Sequence, residues 1–140
     1  VSQEEIVLFE SFRARPERVW EALTDHEGMG KWTGAEVQVV ARGDERGVGT
    51  VRRLKIGALR IDEEVVYADA PRRLVYRIVR GLPVSFHRGE ILVEPRGEST
   101  EVTWKILLRS SVPGLVRGTA LVLRPAMGRG LGELKGLIGA

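Results

Sequence analysis

A chain of 140 residues is long enough for one domain that buries about two thirds of its unfolded surface. Apolar residues at 43% and charged residues at 29% exclude a disordered chain, and no apolar run approaches the roughly 18 residues that a helical bilayer crossing needs. The net charge of +3 and pI near 9.7 allow weak attraction to anionic partners, but the bases come as scattered pairs such as Arg52-Arg53 and Arg72-Arg73, interleaved with acids, so nucleic acid is not an expected partner. The absence of cysteine excludes disulfides and thiolate metal sites, and with only His26 and His87 a histidine-rich metal site is not expected. No metal and no cofactor is predicted. Val1-Ser2-Gln3-Glu4-Glu5 has neither the basic start nor the apolar core of a secretory signal, which points to a cytoplasmic location.

Residues 4–14 mix β-branched and aromatic residues in short alternation and predict a first strand. Pro16 ends it and suits the first turn of a helix, and Val19, Trp20 and Leu23 then recur at helical spacing, predicting a short helix over 16–24. A second helical turn falls near Glu27–Trp32, broken by Gly28, Gly30 and Gly34 into a bent connection. Six strands follow, at about 36–42, 47–56, 59–68, 73–80, 84–94 and 100–110, separated by tight turns such as Gly57-Ala58 and Ala70-Pro71-Arg72. Strands joined this tightly make an antiparallel meander. From Gly114 to Ala140, Val116, Ala120, Leu123, Met127, Leu131, Leu134 and Ile138 form one apolar stripe at helical period, predicting a long C-terminal helix. Pro125 should kink it, and its glycines each cost about 1 kcal/mol relative to alanine, so the helix reads either as a bent core helix or as a movable lid. The predicted fold class is α+β: a curved seven-stranded antiparallel sheet, two short helices after the first strand and a long terminal helix enclosing a hollow.

Strand alternation assigns the side chains that face this hollow. Val102, Trp104, Ile106 and Leu108 form one inward set, Leu74, Tyr76 and Ile78 a second, and Leu59, Ile61, Glu63, Val65 and Tyr67 a third. A two-residue turn at Gly57-Ala58 pairs Arg52 with Glu63 on the inward face, Cβ atoms about 5 Å apart, where each charge holds the other ionised. The pair reads as a structural ion pair or as one that also orients a polar group of a ligand. Parity with Ile91 and Val93 turns His87 and Gly89 inward, Gly89 leaving space, although a bulge would reverse that half of the strand. Tyr67, Tyr76 and Trp104 supply aromatic walls with polar tips, which ordinary core packing would also explain. Neither a nucleophile elbow nor a phosphate-binding glycine loop is present.

Several segments carry a family resemblance. Ala14-Arg15-Pro16-Glu17-Arg18-Val19-Trp20-Glu21-Ala22-Leu23-Thr24-Asp25, Met29-Gly30-Lys31-Trp32, Gly47-Val48-Gly49-Thr50-Val51-Arg52, Glu63 with Asp69-Ala70-Pro71-Arg72-Arg73-Leu74-Val75-Tyr76, Gly89-Glu90-Ile91 and Ser99-Thr100-Glu101-Val102-Thr103-Trp104 resemble the START-like helix-grip superfamily, or SRPBCC, in its polyketide cyclase/dehydrase branch. The resemblance covers essentially the whole chain and implies one helix-grip domain over residues 1–140. It implies a cavity under the C-terminal helix for a lipid, polyketide, isoprenoid or other hydrophobic molecule. Arg52 and Glu63 match positions that often face that cavity, and His87 stands where relatives commonly place an aromatic residue. The glycine-rich terminal helix departs from the family pattern.

Three functions are therefore open. The first is binding of a small hydrophobic ligand by Arg52, Glu63, Tyr67, Tyr76, His87, Trp104, Leu123 and Met127, in a monomer or homodimer. The second is a cyclase or dehydratase in which His87 or Glu63 moves protons. The third, implied by the Hsp90-activator branch, is a protein-interaction module with a filled core.

Overall fold

The computed structural model describes residues 1–138. Its strands are β1 (Ser2–Phe12), β2 (Glu36–Ala41), β3 (Val51–Ile56), β4 (Leu59–Asp69), β5 (Arg73–Arg80), β6 (Phe86–Arg96) and β7 (Ser99–Ser110). Helix α1 (Pro16–Thr24), a 3-10 turn at Glu27–Met29 and helix α2 (Gly30–Thr33) sit between β1 and β2, and α3 (Leu115–Ile138) closes the chain. The last two residues of the predicted terminal helix lie outside the described residues.

One antiparallel sheet holds all seven strands in the order β1-β7-β6-β5-β4-β3-β2. The meander runs from β2 to β7, and β1 pairs along β7 from Ser2↔Ser110 to Phe12↔Thr100, so the first strand returns beside the last. The third strand starts at Val51 rather than at residue 47. Gly47 and Gly49 take φ of 90° and 93°, left-handed values that favour glycine, and make the preceding stretch a loop. Asp44 Oδ1 accepts the Arg46 and Val48 amides within that loop, at 2.9 and 3.0 Å.

The Gly57-Ala58 turn gives the predicted register, Ile56↔Leu59, Leu54↔Ile61 and Arg52↔Glu63. Two irregularities in the β4–β5 pairing, between Asp62 and Glu63 and between Val65 and Tyr67, alter the parity read from the sequence. Beyond the second of these, Tyr67 faces out and is 44% exposed, while Ala68 is buried in its place. The expected inward orientation of Tyr67 is thus corrected: an extra residue shifts the two-residue alternation by one.

Helix α3 packs chiefly on β1 and α2. Val116, Ala120, Met127, Leu131 and Leu134 of the predicted stripe are buried, Leu123 and Ile138 are half-buried, and Gly130 joins the buried face. A Cβ at Gly130 would stand 3.2 Å from the Trp32 carbonyl oxygen, so the missing side chain is what lets α3 approach α2. At Gly118, Gly128, Gly132 and Gly136 an added Cβ would meet nothing within 4 Å. Those four glycines weaken the helix without any packing return. Among the described residues no helix is long and apolar enough to cross a membrane.

Candidate functional site

Between the bowed sheet and α3 lies a chamber of about 80 Å³. Seven of the eight residues expected to contact a ligand line it: Arg52, Glu63, Tyr76, His87, Trp104, Leu123 and Met127. Tyr67 does not. It lies under the Arg73 guanidinium, 5.1 Å from ring centroid to Cζ, and borders a separate open cleft of about 940 Å³ between α1 and the β2–β3 loop. Gly89 leaves no space either, because an added Cβ would collide with the Tyr76 ring, which already fills that position.

Arg52 organises the polar wall. It is 2% exposed; its Nε donates to Glu63 Oε1 at 3.0 Å, and its Nη1 donates to His26 Nδ1 at 3.0 Å and to Met29 Sδ at 3.1 Å. Its Cζ stands 4.8 Å from the Tyr76 ring centroid. His26 and Met29 escaped the sequence reading, since both lie in the glycine-broken connection after α1, where no periodicity assigns a face. On the outer side of the same hairpin Arg53 clasps Asp62 with two hydrogen bonds, at 2.9 and 3.1 Å, which hold the Asp62 carboxyl below the usual carboxylate range.

The aromatic wall is fixed in the same way. Trp104 Nε1 donates to the Tyr76 hydroxyl at 2.8 Å and meets Trp32 edge to face, with centroids 6.0 Å apart. The Tyr76 and His87 rings lie 5.7 Å apart. Burial, with the Glu63 charge acting in the same direction, pushes the Tyr76 hydroxyl up and keeps it protonated. Burial also pushes the Glu63 carboxyl up, against the opposing Arg52 guanidinium. Partner attraction alone therefore does not set its ionisation, contrary to the expectation from the sequence.

His87 Nδ1 accepts the Ile78 amide at 2.9 Å, so the neutral ring carries its proton on Nε2. Burial, reinforced by Arg52, lowers the His87 pKa to about 4 and keeps the ring neutral near pH 7. In this tautomer His87 is a hydrogen-bond donor to the chamber and is not poised to take a proton. Glu63 is then the better candidate for any proton transfer.

Among the described residues no sealed side-chain nitrogen or oxygen lacks a hydrogen-bond partner. Among those residues Arg52 Nη2, His87 Nε2 and Glu63 Oε2 make no hydrogen bond to protein, so these atoms reach accessible space, and all three residues line the chamber. Two donor groups and one carboxyl oxygen on a wall otherwise built mainly of Leu, Ile, Met and aromatic side chains, with Thr33 and Thr119, can hold an oxygen-bearing end of an apolar molecule. Among the described residues no group of three His, Cys, Asp or Glu is arranged to hold a metal ion.

A bowed antiparallel sheet gripped by a C-terminal helix over a chamber defines a START-like helix-grip protein. The chain belongs to the family described as polyketide cyclase / dehydrase and lipid transport, whose model matches residues 5–139. It is similar to the solved structure of TTHA0849 from Thermus thermophilus, at 25% identity and a TM-score of 0.78 over 96% of this chain and 97% of that one. A START superfamily protein from Mycobacterium smegmatis matches at 14% identity and a TM-score of 0.77, covering 96% of each chain. Norcoclaurine synthase from Thalictrum flavum, solved with dopamine and hydroxybenzaldehyde, matches at 17% identity and a TM-score of 0.74, covering 98% of this chain and 87% of that one. No protein of curated function matches the chain. Family and fold are consistent with binding of a hydrophobic ligand.

Proposed function

We propose that the protein binds a small hydrophobic molecule carrying one carbonyl or phenolic oxygen, with that oxygen toward Arg52, His87 and Glu63 and its apolar body toward Trp104, Leu123 and Met127. The observation that carries this reading is the set of accessible polar atoms, without partners among the described residues, on side chains that line a mostly apolar chamber. Because these atoms reach accessible space, an oxygen-bearing ligand can meet them without breaking a hydrogen bond within the protein. The family description, with its cyclase and lipid-transport members, supports the same class of ligand. Norcoclaurine synthase supports it too, since both of its bound molecules are aromatic and oxygenated.

Size sets a condition on this function. A chamber of about 80 Å³ has room for a few waters, whereas pockets for drug-sized ligands run to roughly 300–1,000 Å³. Admission of such a ligand therefore requires α3 to move outward. The same narrowness favours a second reading, an interaction module with a filled core.

Native mass spectrometry of gently purified protein, followed by exchange against a panel of apolar ketones and phenols, separates the two. Ligand binding is expected to show a co-purified or exchangeable adduct, and His87→Phe, which removes a donor and adds bulk, should weaken it roughly tenfold. Protein that is bare and takes up nothing from the panel would overturn the ligand reading in favour of the filled core.

A further inference from the structure

At one end of the molecule the β5–β6 loop, the β7–α3 loop and the start of α3 come together. Ser85 donates its amide to the Arg109 carbonyl at 2.9 Å, and the Ser110 hydroxyl donates to the Pro83 carbonyl at 2.9 Å, so the two loops form one surface. The Arg109 guanidinium stacks 4.9 Å over the Phe86 ring within it. Large apolar side chains stand in solvent there: Phe86 at 38%, Val112 at 41%, Leu121 at 71% and Val122 at 66% exposure.

The charge on this surface is predominantly positive. Residues 70–89 and 102–132 contain no aspartate or glutamate, and they supply Arg80, Arg109, Arg117 and Arg124 to the elements that meet here. Carboxylates come at the border, from Asp62, which faces Arg80 across the β4–β5 pairing and is itself clasped by Arg53, and from Glu4 and Glu5 on β1, where Arg124 Nη2 donates to the Glu5 carbonyl at 3.2 Å. Exposed apolar side chains ringed by arginines meet the two demands of an anionic bilayer, acyl contact for the tips and headgroup phosphates for the guanidinium groups. A second copy of the chain would bring like charges together across the contact, and a nucleic acid would leave the apolar tips without a partner. The chamber lining reaches Ile56 and Leu82 at this same end.

We propose that this end of the molecule docks reversibly on an anionic lipid surface, with Phe86, Val112, Leu121 and Val122 entering the acyl boundary and Arg80, Arg109 and Arg117 lying among the headgroups. The inference goes beyond ligand binding and is tested without a ligand.

Co-sedimentation of the full chain is measured with vesicles of phosphatidylcholine alone and of phosphatidylcholine mixed with phosphatidylglycerol. Sedimentation is expected only with the anionic vesicles, and it should fall as salt is raised. Leu121→Ser with Val122→Ser, and separately Arg80→Gln with Arg117→Gln, should each lower the partition coefficient about tenfold. All four side chains are exposed, and circular dichroism checks that both variants keep the fold. The chain has no cysteine, so Val112→Cys and Glu98→Cys each give one labelling site for an environment-sensitive fluorophore. The label at 112 should shift to the blue on anionic vesicles, and the label at 98, at the opposite end, should not. Equal binding to neutral vesicles, no binding to either, or equal shifts at both labels would overturn the proposal. So would a dimer dissolved by the serine pair, which would assign the face to a second copy, or DNA binding lost only with the arginine pair.

Discussion

Arg52 is nearly sealed from water, and its neighbours satisfy two of its three guanidinium nitrogens, Glu63 on Nε and His26 and Met29 on Nη1, with the Tyr76 ring face on the guanidinium plane. Removing one member of such a set leaves the rest with an uncompensated charge. Glu63→Ala should therefore destabilise the fold by about 3–5 kcal/mol, whereas Arg52→Met combined with Glu63→Leu should recover most of that loss. Urea unfolding of the two variants and of each single substitution checks this. Losses that simply add would show that the pair is not energetically coupled. The rung itself was legible in the sequence, because a two-residue turn sets register and register sets the facing residue. The other two partners were not, since His26 and Met29 reach Arg52 from a connection that carries no period.

At the scale of elements, alternation places a side chain only until the first irregularity. It located Tyr76, Trp104 and His87 correctly in the chamber wall and failed at Tyr67, one residue past the β4 bulge. Helix α3 was legible from its apolar stripe, but the meaning of its glycines was not. Gly130 is a point of close approach to Trp32, while Gly118, Gly128, Gly132 and Gly136 face open space, and composition does not distinguish them. The distinction predicts opposite outcomes. Gly128→Ala and Gly132→Ala should each raise stability by about 1 kcal/mol through helix propensity alone. Gly130→Ala should gain less or lose, because its Cβ would crowd the Trp32 carbonyl at 3.2 Å. Thermal unfolding measures the difference. If α3 must swing out to admit a ligand, the two stabilised variants should also slow amide exchange along α3 and slow ligand uptake. Faster uptake in either variant would count against a hinged helix.

For the whole molecule, the polar wall makes stability depend on pH. His26 and His87 both fall from 6.5 to about 4, chiefly because burial disfavours the charged ring, with Arg52 adding repulsion. Below pH 6.5 the unfolded chain takes up protons on both rings while the fold resists until about pH 4. The stabilisation is thus complete above 6.5 and lost as pH falls through the folded values. Asp62, lowered by Arg53, acts in the same direction at still lower pH. Glu63 acts oppositely: its raised carboxyl makes the fold hold a proton that the unfolded chain releases, which favours the fold at low pH and opposes the histidine effect. With the Glu63 contribution common to both proteins, the His87 share is read as the difference between the wild type and a variant lacking that ring. His87 alone accounts for up to about 3 kcal/mol across this window. As pH is lowered from 6.5 to 4, the urea midpoint should accordingly lose more in the wild type than in His87→Asn, whose side-chain oxygen can still accept the Ile78 amide. His26 continues to titrate in both. An identical pH dependence in the wild type and in His87→Asn would mean that burial does not hold the His87 ring neutral, so that its Nδ1 would gain a proton near pH 6.5 and could no longer accept the Ile78 amide.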